Sequence, residues 1–281
     1  MDKKELFWEN GNLYYSGDLL NNVKHGYGRK YNINNELEYE GFFKNDVYCG
    51  KGKLFYPDNT ILFEGEFLND CLKNGVYYWK DGNYYIGEMK NDEIHGKGIL
   101  YSKDNTTEYD GFFKNGMKYG FGRLYYSNIN IVKYVGNFIN NAKDGEGIEF
   151  NEDGTIFRKG IFSNDQFIKG IKNTGLTPYY EGDFRNDLFH GFGKLYKNSS
   201  IIYYDGAFMN GAIHGIGKLY YDNGIVSYYG SFMNNLKNGY GTEYNYSGQA
   251  VYSGNFINDK YIPLIELNMQ QQQYQLQNST I

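Results

Sequence analysis

Tyr109-Asp110-Gly111-Phe112-Phe113-Lys114-Asn115-Gly116-Met117-Lys118-Tyr119-Gly120-Phe121-Gly122-Arg123-Leu124-Tyr125 reads as two strands joined by a tight turn. Side chains alternate along a strand with period two, so Tyr109, Gly111 and Phe113 point to one side. That side presents a ring, a gap and a ring. A glycine inside a strand weakens it and marks close approach of another group. The expected occupant of the gap is a ring from a neighbouring strand, such as the aromatic at the position of Tyr125. Asn115 and Gly116 both tolerate positive φ, which makes them a hairpin turn.

The same pattern recurs along the chain. Gly111 has counterparts at Gly17, Gly41, Gly65, Gly87, Gly136, Gly160, Gly182, Gly206, Gly230 and Gly254. The spacing is 24 residues in most steps, 25 in one and 22 in two. Four residues after each of these glycines stands an asparagine, from Asn21 to Asn258. Eight repeats add a Gly-x-Gly pair, from Gly26/Gly28 to Gly239/Gly241. A second turn signal, such as Asp58-Asn59, Asp81-Gly82 or Asn223-Gly224, precedes the next repeat. Fixed offsets of this kind identify a tandem array, and glycine in it is architectural. The expectation is an all-β, single-layer antiparallel meander of about eleven β-hairpins. With strands about 4.8 Å apart it would span on the order of 100 Å before twist.

These residues resemble the MORN (membrane occupation and recognition nexus) repeat, whose pattern is roughly Tyr-x-Gly-x-Phe/Trp-x-Asn-Gly-x-x-His-Gly-x-Gly. The resemblance covers about residues 12 to 260. It implies an elongated, twisted sheet used as a scaffold that docks partner peptides or helices, with family members in cytoskeletal, ciliary and junctional assemblies. It also implies a phospholipid-binding role, on weaker ground.

Two repeats depart from the pattern alike. Asn74-Gly75-Val76 and Lys169-Gly170-Ile171 each carry a lone glycine in place of the pair, and both precede a 22-residue step. Junctions are therefore expected near 75–87 and 170–182, with a change of twist at each or simple drift as the alternatives. Pro178 lies at the second, where a ladder donor can be spared. Residues 1–11 read as a lead-in, with Leu6-Phe7-Trp8 opening a strand, and 12–260 as the array. Residues 261–281 read as a C-terminal helical cap or tail, since Leu264, Leu267 and Tyr274 fall at helical spacing. An open sheet needs its last edge covered. Homodimerisation through that segment, partner capture by it and a disordered tail are the alternatives.

Composition excludes several function classes. The chain of 281 residues has 28 Lys and Arg against 33 Asp and Glu, a net charge of -5, and the two signs are interleaved. That gives neither a nucleic-acid stripe nor the cluster of four to eight cations that anionic membranes attract. There is no apolar signal segment at the start, and Cys49 and Cys71 read as reduced thiols, which together suggest a cytoplasmic protein. The sequons at Asn105, Asn198 and Asn278 then carry no glycan.

Nothing in the sequence assembles a catalytic or metal constellation. His25, His95, His190 and His214 all occupy one repeat position, in separate hairpins. Zinc needs several ligands converging on one point. No Gly-x-Gly continues into a phosphate-binding loop. The reading is non-catalytic, without cofactor or metal. The acids before the glycine (Glu40, Glu64, Asp110, Glu181, Asp205) are a solvated face. Rings flanking the glycine are the candidate partner-binding residues: Tyr39, Phe43, Tyr109, Phe113, Tyr180, Phe184, Tyr204 and Phe208. A cytoskeletal or ciliary scaffold binding a protein partner is the leading expectation. The alternative is a peripheral membrane tether that binds anionic phospholipid through Lys44, Lys90, Lys114 and Arg185.

Overall fold

The computed structural model describes residues 2–263 apart from Asn128 and Ser199. Among them there is no helix, and 23 strands follow one another in an open antiparallel meander. The lead-in is part of the sheet: Asp2–Phe7 pairs with Leu13–Leu20 and sets Leu6 opposite Tyr15. The final hairpin closes on the short strand Lys260–Ile262. The expected helix or cap, and the dimer contact assigned to it, fall beyond Pro263 and lie outside the described residues.

Each hairpin turns on its asparagine. All eleven of these asparagines have positive φ, for example 50° at Asn115 and 52° at Asn45. The next residue does too, with 70° at Asp46 and 77° at Gly116. Two successive left-handed residues make the turn whose twist matches the flanking strands. Asparagine, aspartate and glycine are the residues that occupy this region at least cost.

These turns also join one repeat to the next. The side chain of Asp46 accepts from the main-chain N–H of Lys24 at 2.9 Å, while the N–H of Asp46 donates to the Lys24 carbonyl at 3.0 Å. Asp70 and Asn141 do the same with Tyr48 and Lys118. Where glycine takes the place, at Gly116, only the main-chain bond to Ile94 remains.

The chain divides into two compact lobes. One runs to Asp144 and includes Glu152–Gly154, and the other comprises Gly145–Asn151 and the described residues from Thr155 onward. The divide falls inside the strand Ala142–Phe150, away from both junctions that the spacing suggests. In the first lobe one glycine per strand stands opposite the next, from Gly17 facing Gly28 through Gly111 facing Gly122 to Gly136. A second row of the same kind runs from Gly147 facing Gly160 to Gly241 facing Gly254.

In the Gly-x-Gly repeats the gap beside the motif glycine is filled by the ring two residues before it, and among the described residues only at Gly254 does a neighbouring strand's ring, Tyr261, take the place. A Cβ placed on Gly111 would lie 2.5 Å from the hydroxyl of Tyr109 and 2.6 Å from the Cα of Gly122. Tyr109 therefore folds across its own glycine and the glycine opposite. Only the absence of both side chains allows this. The expectation that the aromatic at Tyr125 fills the gap is corrected: Tyr125 pairs with Val132 at the far end of its strand.

Repeats three and seven differ in their bulge. In an ordinary repeat Phe113 faces Lys118 and Gly111 faces Gly122, so the second strand carries two surplus residues, one of them Gly120 at φ 72°. In repeat three Phe67 faces Leu72 and Glu66 faces Asn74, a surplus of one, and in repeat seven Phe162/Phe167 and Ile161/Lys169 repeat it. The lone Gly75 and Gly170 thus keep their place in the glycine rows, facing Gly65 and Gly160.

Candidate binding faces

One face of the sheet is closed by its own rings. Tyr109 meets Phe113 edge-on at 5.0 Å and the Phe138 of the next repeat at 5.2 Å. Tyr39 does the same with Phe43 and Phe67, both at 5.1 Å. In the second lobe Tyr180 and Tyr204 reach forward to Phe208 and Phe232. Edge-to-face contact at this distance is a favoured aromatic geometry and adds to the burial itself. No second layer lies over these rings among the described residues, and still Tyr39, Tyr109, Tyr180 and Tyr204 are 0% exposed. The cover comes from the side chain seven residues after each motif glycine. Tyr48 stacks on Tyr39 at 3.9 Å, Phe189 on Tyr180 at 4.0 Å, and the Nζ of Lys118 lies 5.4 Å from the centre of Tyr109.

The eight candidate partner-binding rings all sit in this layer. Tyr39, Tyr109, Tyr180 and Tyr204 are fully buried, and Phe43, Phe113, Phe184 and Phe208 nearly so. They form the core, and a partner cannot reach them without opening the sheet. Period two identifies which side a ring takes but not what covers it.

Rings that a partner can reach lie on the opposite face, beside the glycine rows. Tyr27 and Phe42 are cross-strand neighbours, half exposed, with ring centres 5.5 Å apart. They edge a depression of about 400 Å³ that runs over the main chain of Gly41, Gly52 and Gly65. Its walls carry matched charges. Arg29 reaches Glu40 at 2.9 Å, Lys53 reaches Glu64 at 3.0 Å, and Lys51 stands opposite Glu66. Burial raises the Glu40 carboxyl, but hydrogen bonds from Tyr27 and Arg29 outweigh it and hold the group below its ordinary value. The Tyr27 phenol is raised by the same hydrogen bond. Further half-exposed rings on this face are Phe112 and Phe121 in the first lobe, with Phe192 and Tyr240 more fully exposed in the second. Tyr27, Phe121, Phe192 and Tyr240 share the middle place of Gly-x-Gly, and Phe42 and Phe112 the place after the motif glycine, but other repeats fill both with unlike residues, so a motif defined by identity passes over them.

The acids expected to form a solvated face are largely engaged. Besides Glu40 and Glu64, Asp110 lies 3.9 Å from Arg123 and Glu181 accepts from the Tyr196 hydroxyl at 2.8 Å. Lys44, Lys90, Lys114 and Arg185 are exposed at strand ends. Cys49 and Cys71 are unbridged. The Nδ1 atoms of His25, His190 and His214 are buried without a partner, while His95 accepts from the N–H of Asn115 at 3.5 Å. Among the described residues no three His, Cys, Asp or Glu side chains converge as a metal set.

An open meander of hairpins registered on rows of glycine defines the class: a β-repeat protein whose repeats form binding surfaces. The MORN repeat family model matches nine segments, residues 15–34, 39–61, 74–84, 85–107, 109–128, 134–156, 180–200, 204–226 and 228–250. Together they cover more than half of the chain, which belongs to the MORN repeat family. Such repeats are typically non-catalytic. The curated proteins contain no match to this sequence.

Proposed function

We propose that the chain is a non-catalytic scaffold that holds a segment of a protein partner along the glycine-floored depression of the first lobe. The observation that carries this reading is the accessible ring pair Tyr27–Phe42 beside wall charges that already satisfy one another. Binding hot spots are enriched in aromatic residues that become desolvated on contact. Walls with no net charge offer little to an anionic lipid headgroup and suit an amphipathic polypeptide. The test is a photo-cross-linking side chain placed at Phe42, compared with one at the exposed loop residue Lys103. The reading expects discrete protein adducts at position 42 that Tyr27→Ala weakens and that are absent at 103. Lipid adducts alone, or the same adducts from both positions, would overturn it.

A further inference from the structure

We infer that the second lobe carries a separate site for a polyproline II segment, at the loop edge of repeats eight to ten. A depression of about 490 Å³ there is lined by five tyrosines, Tyr196, Tyr203, Tyr220, Tyr221 and Tyr246, with Lys197 and Asp222. Three features select the occupant.

The first is unused hydrogen-bond donors. Tyr196 donates to Glu181 and Tyr221 to the Tyr244 carbonyl at 2.7 Å. Among the described residues the hydroxyls of Tyr203, Tyr220 and Tyr246 find no acceptor, and the ring of Tyr246 is 67% exposed. A polyproline II helix makes no internal hydrogen bonds and leaves every carbonyl free to accept. Proline lacks the N–H with which another extended chain would seek acceptors here.

Charge is the second. Among the described residues Lys197 and Asp222 are the only charged ones lining the depression, and they pair with each other at 2.7 Å. A neutral rim over aromatic faces favours an uncharged, pre-ordered ligand. Tyr221 and Tyr246 stack at 3.9 Å, which presents the outer face of Tyr246 as a fixed platform.

Spacing is the third. Tyr196 and Tyr220 hold the same place in consecutive repeats, two strands apart, or about 9.6 Å. A polyproline II helix completes a turn in three residues at about 3.1 Å each, or about 9.3 Å. Each repeat would therefore meet the same face of the ligand one turn further on. Aromatic-lined grooves that recognise such segments work by this kind of match.

The test presents the full chain with an array of dodecapeptides having proline at every third position and all other positions varied, beside arrays with glycine or alanine there. The site predicts selective retention of proline peptides. Saturable shifts of fluorotyrosine resonances should be confined to Tyr196, Tyr203, Tyr220, Tyr221 and Tyr246. Tyr246→Ala, in an exposed loop and expected to melt like wild type, should weaken binding about tenfold. Tyr203→Phe/Tyr220→Phe, which keeps the rings and removes two donors, should weaken it several-fold. No preference for proline, shifts elsewhere only, or binding untouched by Tyr246→Ala would each overturn the inference.

Discussion

The hydroxyl of Tyr109 donates to the main-chain carbonyl of Phe112 at 3.1 Å, inside its own hairpin. Phe112 has no partner on the strand Met117–Tyr125, because that strand bulges there. Folding over the two glycines brings the phenol to a carbonyl beside that bulge. Equivalent bonds run from Tyr15, Tyr39, Tyr85, Tyr134, Tyr180, Tyr204 and Tyr228. These are the repeats that carry Gly-x-Gly. In repeats three and seven the tyrosine is Phe63 or Arg158, and there the bulge is one residue shorter. Tyrosine, bulge and second glycine form one device.

Tyr109→Phe is therefore expected to cost about 1 kcal/mol, the net worth of one part-buried hydrogen bond. The reverse change, Phe63→Tyr, should gain nothing, because repeat three has the shorter bulge. Urea unfolding of both variants checks this. Equal stability of Tyr109→Phe and wild type would mean that another group satisfies the Phe112 carbonyl.

This coupling shows how far the sequence can be read. Gly111, Asn115 and Gly122 each have one physical reason to be where they are, so their spacing defines strands, turns and glycine rows. Whether Tyr109 and Phe113 face a partner or a core depends on what covers them. That cover is Lys118, Tyr48 and their equivalents, residues of unlike chemistry that share only length. A motif defined by identity does not register them. Tyr27 and Phe42 escaped because their places are aromatic in some repeats, as at Phe121, Phe192, Tyr240 and Phe112, and charged in others, as at Lys51, Lys97 and Glu66, while Tyr246 is particular to a single repeat. The bulge is visible only as the second glycine, and its size emerges from the strand register.

The link between repeats is expected to be a measurable part of the stability. Asp46→Gly keeps a residue that tolerates φ 70° and removes the bond to the Lys24 N–H. It should cost about 1 kcal/mol. Asp46→Asn, which reproduces the arrangement at Asn141, should cost a few tenths. If the two variants melt together, the side-chain bond contributes nothing and the main-chain bond alone joins the repeats.

The ring layer should fail at high pH. Burial, with Asp18 and Asp46 nearby, pushes the Tyr15 phenol from 10.0 up to about 12. Tyr109, by burial and Asp110, and Tyr228, by burial and Glu243, rise likewise to about 12. These groups keep their protons in the folded chain at pH values where the unfolded chain has lost them. Stability is then level below pH 10 and falls as pH rises from 10 towards 12. Urea midpoints measured across that range check the sign. Tyr109→Phe, which cannot ionise, should show a shallower fall, and a steeper one would contradict the assignment.

Membrane recognition separates the proposed scaffold from a lipid tether. A tether would rest on Lys44, Lys90 and Lys114 in the first lobe, each worth about 1 kcal/mol near an anionic surface. Their placement opposes it. Lys44 and Lys90 stand two repeats apart, about 19 Å at the usual strand spacing, with Leu68 at the same position between them. That exceeds the screening length of about 8 Å at physiological salt, so the two cations act separately. Lys114 lies 4.8 Å from the centre of the Tyr119 ring, and Glu88 shares the strand Tyr84–Lys90 and its face with Lys90. Arg29, Lys53 and Arg123 already face Glu40, Glu64 and Asp110. Vesicles of phosphatidylserine or phosphoinositide at about 150 mM salt are therefore expected to leave the protein in the supernatant. Lys44→Glu/Lys90→Glu/Lys114→Glu should behave as wild type does. Sedimentation of the wild type that the triple variant loses would show that three separated cations suffice, and the tether would replace the scaffold as the function of this face.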